Sequence, residues 1–255
     1  MNDPHVEALY YRFVTEDDSD DFSQAAPLSG SLGDFDFTLA DGHLVARPRL
    51  HFASADDAIA ALEPHLRAWE QSSLVSRYHY AFRFRYLHPH LIDRAPTPGN
   101  QVIELVGIAS TATFGIAAVV RRSNYPPPAD DFAASDLTDL LTPRYDNHRR
   151  GREPLPSFGY WLLTVLEQSF GKGRRRRAAS ALHVQFEVLD TIGKLTSKAD
   201  PAIGRKAAGD AIAFTPAELA WLDAVVARLI YRVGERNTGI DPLPLITLAD
   251  FPKLT

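Results

Sequence analysis

Cysteine is absent from this chain of 255 residues, and methionine occurs once. Without thiols the chain has no disulfides, no Cys-ligated zinc, no iron–sulfur cluster and no cysteine nucleophile. Lysine is scarce as well, because the chain has five lysines against twenty-two arginines, and residues 1–128 contain none. These absences exclude the thiol-dependent enzymes and the small secreted domains that depend on disulfides.

Long hydrophobic runs are also missing. The longest uncharged stretch, at residues 105–120, has sixteen residues. A membrane-spanning helix needs ~20, and the Thr, Val and Gly content here favours a buried strand. The N-terminal residues lack the basic and apolar regions of a secretory signal. The sequence therefore predicts a soluble, cytoplasmic protein that does not contact a membrane.

The composition itself is that of a globular protein, with 45% hydrophobic and 23% charged residues. Strand-like patterns fill residues 1–128, helical patterns fill residues 129–255, and three consecutive prolines at 126–128 form a stiff connector. We predict an α+β protein with two domains. Residues 1–128 are expected to form a mainly antiparallel sheet with a packed helix, and residues 129–255 a helical domain.

The first half contains one hairpin signal and one helix signal. Asp41-Gly42 favours a type I′ turn, because both residues tolerate positive φ. Ser54 and Asp57 resemble a capping box and predict the start of a helix. Pro64 is expected to break or kink that helix, because proline lacks the N–H of a helical hydrogen bond.

Aromatic residues alternate with others over residues 78–86, which predicts a strand with five aromatic side chains on one face. One interpretation is a face buried beneath the helix. The alternative is a base-stacking surface for RNA, with Arg83 and Arg85 close to the phosphates. Both arginines belong to the opposite face of the strand, so the buried face is the preferred interpretation.

Helical spacing in the second half predicts three long helices. One begins at Ser157, and the next covers residues 178–195 without interruption. Thr215-Pro216-Ala217-Glu218 is a capping box with proline at the first helical position, and it predicts the start of the third helix.

The formal charge of −5 is unevenly distributed. Residues 1–128 have sixteen acidic residues and ten arginines, whereas residues 129–255 have sixteen acidic and seventeen basic residues. A basic cluster in the second half predicts an anion-binding surface for a nucleic acid, or for a protein partner. The cluster comprises Arg149, Arg150, Arg152, Lys172, Arg174, Arg175 and Arg176, with Arg144 and Arg177 beside it. A solvated loop with no ligand is the alternative.

His88, His90 and Asp93 place two imidazoles and a carboxylate within six residues of a predicted proline-rich loop. These groups are ligands of divalent metals, so the segment is a candidate metal site for a hydrolase. The alternative is a structural loop in which Asp93 pairs with Arg94. The sequence lacks the phosphate-loop, dinucleotide-binding, kinase and serine-nucleophile motifs, and no cofactor is predicted.

The segment RYDNHRRGREPLPSFGYWLLTVLEQSFGKGRRRR precedes a long amphipathic helix and a last helix ending in LIYRVGE. Residues 140–235 thereby resemble helical domains of the HEPN type, which occur in bacterial defence and toxin systems. The resemblance implies an intracellular bacterial protein with a shallow nucleic-acid-binding groove. Through GREPL, LTVLE and DRAPTPG the whole chain also resembles a bacterial family without an assigned function.

Catalytic HEPN domains are metal-independent ribonucleases with an arginine followed, after four to six residues, by a histidine. Arg177 and His183 have this spacing. The resemblance implies that the arginine stabilises the scissile phosphate while the histidine transfers a proton. Six residues of a continuous helix make more than one full turn and leave a net angle of about 240° between the two side chains, which would separate them.

Three functions therefore stay open. The preferred one is a non-catalytic binding protein with an anion- or nucleic-acid-binding cluster. The alternatives are a HEPN-like ribonuclease at Arg177 and His183, and a metal-dependent hydrolase at His88 and His90.

Overall fold

A computed structural model describes residues 2–15, 20–76, 80–95, 120–197 and 213–254. Contacts group the chain into two compact units. The first comprises Met1–Glu70 and Ala81–Pro127, and the second comprises Gln71–Tyr80 and Pro128–Thr255. Strands predominate in the first unit and helices in the second, so the predicted α+β class is confirmed. Segment 71–80 groups with the second unit, although it precedes the boundary predicted after residue 128.

An antiparallel sheet forms the framework of the first unit. The strands in chain order are β1 (Pro4–Thr15), β2 (Asp20–Asp21), β3 (Leu28–Leu32), β4 (Phe35–Ala40), β5 (His43–Pro48), β6 (Phe82–Asp93) and β7 (Val120–Arg121). Five of them form one sheet in the order β3-β4-β5-β1-β6, while β2 and β7 form a separate parallel pair. The predicted turn joins β4 to β5, with φ of 50° at Asp41 and 71° at Gly42, and is confirmed.

Helix α1 (Ala55–Val75) follows β5. Its predicted cap is confirmed, because Asp57 N donates to Ser54 Oγ at 3.1 Å and Ser54 Oγ donates to Asp57 Oδ2 at 2.8 Å. The break predicted at Pro64 is wrong, since the helix continues through it. Ala60 and Pro64 are both exposed, so water can bond the Ala60 carbonyl that the proline leaves unpaired.

Aromatic packing holds α1 against the sheet. The Trp69 ring lies 4.9 Å from the Phe84 ring and 5.0 Å from the Phe37 ring, and its indole N–H donates to Pro126 O at 2.8 Å. Burial of such large rings is the main source of stability for a sheet with one covering helix. The predicted aromatic face is thus buried at the start of β6, but Tyr86 further along is 39% exposed.

Strand β6 includes the segment that the sequence predicts as a proline-rich loop. Its antiparallel pairing with β1 continues to the register of Asp93 opposite Pro4. Among the described residues β6 is the last strand of the sheet. Proline is tolerated in such a strand, because an end strand has N–H groups with no ladder partner to lose. The loop prediction for residues 88–93 is therefore wrong.

The second unit consists of helices and a C-terminal extended segment. The helices in chain order are α2 (Asp136–Arg149), α3 (Leu155–Gly171), α4 (Arg175–Leu182), α5 (Phe186–Thr196) and α6 (Pro216–Asn237). The capping box predicted for α6 is confirmed, with Glu218 N donating to Thr215 Oγ1 at 3.2 Å and Thr215 N donating to Glu218 Oε2 at 3.0 Å. The helix buries an apolar stripe that runs along it: Trp221, Leu222, Val225, Val226, Leu229, Ile230 and Val233.

The continuous helix predicted over residues 178–195 is wrong, because the chain turns out of α4 at His183. His183 has a φ of 52°, and Val184 N donates to Ala179 O at 2.9 Å, which closes the helix end. Gln185 N then donates to Ile246 O at 2.7 Å. The extended C-terminal segment thus pairs with the chain between α4 and α5, and this pairing replaces the helical turn.

The predicted strands between residues 101 and 119 lie outside the described residues. Within the part of the chain that the structure describes, no helix is both long and apolar enough to cross a membrane.

Candidate anion-binding site

A cavity of about 380 Å³ lies at the C-terminal end of α4. Helix α4 supplies Ser180 and Ala181, and α6 supplies Arg236. His183 and the segment after α6 complete the wall, which also includes Gly239, Ile240, Asp241, Pro242 and Leu243. The turn out of α4 at His183 is what brings this histidine beside the end of α6.

His183 is exposed, and one of its ring nitrogens is already bonded. Its Nδ1 forms a short hydrogen bond to the carbonyl oxygen of Leu243. Because a carbonyl oxygen only accepts, Nδ1 must be the protonated nitrogen of the neutral ring. Nε2 has no partner among the described residues, so it is the nitrogen available to a ligand. In this tautomer Nε2 is a hydrogen-bond acceptor.

Arg236 supplies a cation to the same cavity. Its guanidinium forms a short hydrogen bond to Ala181 O and lies 5.4 Å from the centre of the Phe170 ring. Asp241 also lines the cavity, yet Arg236 makes no ion pair with a carboxylate in the described parts of the chain. The arrangement leaves a guanidinium charge beside the imidazole, and a guanidinium has the donor geometry that phosphate oxygens favour.

Arg177 lies next to this cavity along α4. Ser180 and Ala181 follow it by three and four residues, which places them on the same side of the helix. Arg177 is exposed and has no ion pair with another described residue. Because α4 ends before His183, the 240° separation expected in a continuous helix does not apply. Arg177 and His183 share no hydrogen bond, and their catalytic role stays a prediction.

Three arginines of the predicted anion-binding cluster are engaged by carboxylates. Arg149 NH1 lies 3.4 Å from Asp223 Oδ2, and Arg150 Nε lies 2.7 Å from Asp146 Oδ2. Arg175 bonds to Glu167 Oε1 at 2.7 Å and to Asp190 Oδ1 at 3.1 Å. These contacts cancel most of the charge that the three side chains would present to a ligand.

The other members of the cluster keep their charge. Arg152, Lys172 and Arg174 are exposed and make no ion pair within the described residues. Arg176 lies over the ring of Phe186, with its guanidinium carbon 4.2 Å from the ring centre. A guanidinium stacked on a ring retains its full charge and its hydrogen-bond donors. The cationic surface is therefore concentrated around α4.

The predicted metal ligands each have another partner in the first unit. His90 Nδ1 lies 2.7 Å from Glu7 Oε2, and the His88 ring is stacked on Tyr10 at 4.6 Å between ring centres. Asp93 lies at the far end of the same strand. Over the described residues, no group of three His, Asp or Glu side chains has the arrangement of a metal site.

Asp93 instead forms hydrogen bonds with backbone N–H groups, two of them near the N-terminus. Its carboxylate accepts hydrogen bonds from Asp3 N at 3.0 Å, Asn2 N at 2.9 Å and Ala95 N at 3.1 Å. These backbone donors, that of Asp3 above all, lower the pKa of Asp93 below its ordinary value. The carboxylate thus acts as an acceptor for backbone N–H groups.

Arg236 and the Leu243 carbonyl are two polar parts of the cavity that the sequence did not predict. A signal for Arg236 existed, because Arg228, Arg232 and Arg236 repeat every four residues and must share one side of a helix. The carbonyl of Leu243 had no such signal, since any residue supplies a carbonyl. No protein-family model, curated protein or solved structure matches this chain.

Proposed function

We propose that the second unit binds the phosphate groups of single-stranded RNA at the cavity between His183 and Arg236, without cleaving the strand. The observation that supports this most is the free Nε2 of His183 beside a guanidinium that no carboxylate neutralises. The guanidinium donates to phosphate oxygens and does not have to leave an internal ion pair first, while Nε2 of the neutral ring accepts a hydrogen bond such as that of a ribose 2′-hydroxyl.

The exposed arginines around α4 extend this site. Arg174 and Arg177 are exposed without ion pairs among the described residues, and Lys172 precedes them by a few positions. A line of uncompensated cations fits a polymer with a charge at every residue better than it fits a single small anion. We therefore favour a nucleic acid over a protein as the partner. A single strand is more flexible than a duplex, so its phosphates can reach several charges around one short helix.

Fluorescence anisotropy with labelled oligouridine and mixed-sequence RNA tests this function. We expect binding that weakens steeply as the salt concentration rises, because bound cations release condensed counterions. The double variant Arg177→Gln/Arg236→Gln should weaken binding about tenfold or more. The matched control is the double variant Arg12→Gln/Arg47→Gln, which removes two exposed arginines of the first unit and leaves both site residues unchanged. It should bind nearly as well as the unchanged protein.

Two results would overturn the proposal. One is the absence of any anisotropy change with RNA at low salt. The other is binding that the Arg177/Arg236 variant leaves intact. A pull-down that recovers a protein partner through the same variant-sensitive surface would favour the protein partner in place of RNA.

A metal-independent ribonuclease is the second candidate, and one observation favours it. The Nδ1 hydrogen bond to Leu243 O holds the His183 ring and leaves Nε2 free, as a general acid or base requires. The resemblance to HEPN domains assigns the same residue to proton transfer. Incubation of labelled RNA with the protein in excess chelator tests it. Cleavage that His183→Ala abolishes supports the ribonuclease, and cleavage unchanged by His183→Ala, or no cleavage, contradicts it.

A further inference from the structure

A second and larger cavity, of about 870 Å³, lies along α6 between Ala220 and Glu235, within the second unit. Helix α6 contributes residues spaced by three and four, which form one continuous side of the helix: Ala220, Asp223, Ala224, Ala227, Arg228, Tyr231, Arg232 and Glu235. The end of α1 and the C-terminal segment form the other walls. Volume and lining are those of a site for a small organic molecule.

One end of the cavity contains two guanidiniums and a single buried carboxylate. Arg228 donates to Glu235 through two parallel bonds, NH1 to Oε2 and NH2 to Oε1, each 3.0 Å. Arg232 Nε lies 2.7 Å from the same Oε2. Glu235 is therefore shared by two cations, which leaves one positive charge at this end without an acidic partner.

Arg232 is the cation that most requires a compensating partner, because it is fully buried with an exposed fraction of 0%. Two of its nitrogens donate to carbonyls, NH1 to Leu182 O at 3.3 Å and NH2 to Pro244 O at 2.6 Å. Its Nε is close to Glu235, but the N–H does not point at the oxygen and has no hydrogen-bond partner. Burial lowers the pKa of Arg232 from its ordinary value. A buried charge is ordinarily balanced by a partner, so this end of the cavity favours an anion.

The remaining acidic residues of the cavity do not supply that balance. Asp223 is 3.4 Å from both His148 Nε2 and Arg149 NH1, which already share its charge. Asp250 is exposed, and its carboxylate accepts hydrogen bonds from Thr247 N at 2.7 Å and Thr247 Oγ1 at 3.2 Å. Neither carboxylate is bonded to Arg228 or Arg232.

The rest of the wall is apolar. Val75, Ile246 and Phe251 are buried, and Leu245 is 50% exposed at the mouth. Ala224 and Ala227 are small side chains that leave room above the helix. Apolar surface of this kind gains free energy when it is covered by hydrocarbon in place of water.

We propose that this cavity binds an organic monocarboxylate with an apolar body, its carboxylate on Arg228 and its hydrocarbon along Ala224, Ala227 and Ile246. Arg228 is half-buried and lines the cavity, and its bonds to Glu235 come from NH1 and NH2 and do not use Nε. A ligand cation would face two guanidiniums, and a neutral ligand would leave the surplus charge unbalanced. No lining residue of this cavity belongs to the cavity at His183.

Isothermal titration calorimetry with the full chain tests this site, with octanoate and dodecanoate as probes below the concentrations at which they aggregate. Octylamine and octanol have the same hydrocarbon with a different head group. We expect octanoate to bind at least about tenfold more tightly than octylamine or octanol, and dodecanoate more tightly than octanoate.

Two variants separate the head-group contact from the hydrocarbon contact. Arg228→Gln leaves Glu235 paired with Arg232, so it creates no buried unpaired acid, and it should weaken carboxylate binding about tenfold. Ala224→Phe places a ring in the cavity and should weaken dodecanoate more than octanoate. Lys194→Gln, which removes an exposed cation elsewhere in the unit, is the matched control and should bind as the unchanged protein does.

The proposal is overturned if octanoate does not bind, if octylamine binds equally well, or if Arg228→Gln binds octanoate like the control. Circular dichroism of Arg228→Gln shows whether the variant is folded. If it is not, Ala224→Phe decides alone, and equal binding of both carboxylates to that variant and to the control counts against the site.

Discussion

The guanidinium of Arg175 donates a hydrogen bond to the carboxylate of Asp190 across 3.1 Å. A second bond, 2.7 Å long, joins Arg175 to Glu167. One side chain at the start of α4 therefore connects α3 with α5. This arginine belongs to the cluster that the sequence predicts as anion-binding, but its charge is already compensated inside the unit.

Arg175→Gln should consequently lower stability and leave RNA binding intact. We expect the free energy of unfolding to fall by about 1 kcal/mol, because the ion pairs are only partly screened by solvent. Arg177→Gln, two positions along the same helix, should do the reverse and weaken binding without a measurable change in stability. Urea unfolding and RNA anisotropy on both variants check this, and a binding loss in Arg175→Gln equal to that in Arg177→Gln would contradict it.

Gly193 provides the space that Arg175 occupies. A Cβ at Gly193 would lie 2.6 Å from Arg175 NH1 and 2.8 Å from NH2. Glycine to alanine inside a helix ordinarily stabilises by about 0.5–1 kcal/mol. Here we expect Gly193→Ala to lose that gain, because the guanidinium must move and weaken its bonds to the two carboxylates.

The double variant Arg175→Gln/Gly193→Ala is the control for this prediction. Without the guanidinium the alanine has room, so in the Arg175→Gln background the Gly193→Ala change should stabilise by about 0.5–1 kcal/mol. If Gly193→Ala changes the free energy of unfolding equally in both backgrounds, Arg175 is not the cause.

The local features of the fold were predictable from the sequence, because the residues responsible are neighbours in the chain. Ser54 with Asp57, Thr215 with Glu218, and the Asp41-Gly42 turn each depend on residues at most three apart. The end of α4 was not predictable in this way. His183 adopts a positive φ that sequence patterns assign to glycine or asparagine, and its neighbour Val184 pairs with distant Ile246.

The candidate sites likewise combine features that chain neighbours determine with features that depend on distant residues. The sequence indicated the basic cluster, yet it gave no means of telling Arg175, which is paired across helices, from Arg177, which is exposed. The His88–Asp93 segment satisfied a ligand spacing that is meaningful in a loop. In strand β6, His88 stacks on Tyr10 and His90 pairs with Glu7, two residues of β1 that lie beside them only once the sheet has formed.

Asp93 should make the free energy of unfolding depend on pH in the acidic range. Its pKa is lowered in the folded protein, chiefly by the backbone N–H of Asp3, so the unfolded chain binds the proton first. Its contribution is therefore present above the ordinary carboxyl pKa and is lost as the pH falls through the lowered value. Asp93→Asn should be less stable than the unchanged protein at neutral pH, and the difference should shrink on acidification.

Urea unfolding of Asp93→Asn over a pH series checks this dependence. Addition of zinc and of a chelator tests the metal prediction at the same time. A rise in Tm with zinc that is lost in Asp93→Asn would support a metal ligand at this position and contradict the structural role assigned above.

His5 should make the first unit sensitive to mild acid. His5 is 6% exposed, and its Nδ1 lies 3.1 Å from His51 Nδ1. Only one hydrogen fits between these two nitrogens, so one of them donates and the other accepts. Burial, and then the charge of Arg94, lower the pKa of His5 below its ordinary 6.5. The unfolded chain therefore takes up the proton first, and stability falls as the pH drops below about 6.5.

His5→Leu should remove this loss of stability, because leucine fills the buried position without titrating. His43→Gln replaces an exposed histidine of the same unit and is the matched control. Unfolding free energies measured at several values between neutral pH and mild acid should decline less in His5→Leu than in the control. Equal declines would show that His5 is not the sensitive group.

Replacement of His183 by glycine should change RNA affinity while leaving the free energy of unfolding nearly unchanged. Its positive φ costs a residue with a side chain about 1–2 kcal/mol, and glycine avoids that cost. His183→Gly also loses the Nδ1 hydrogen bond to Leu243 O, which contributes about 1 kcal/mol. The two effects oppose each other, so we expect the free energy of unfolding to change by less than about 1 kcal/mol. RNA affinity should nevertheless fall, because the imidazole is gone from the cavity. His183→Ala, which loses the ring but keeps the strained backbone, should bind equally weakly and be less stable than His183→Gly. If His183→Gly binds RNA like the unchanged protein, the imidazole takes no part in the site.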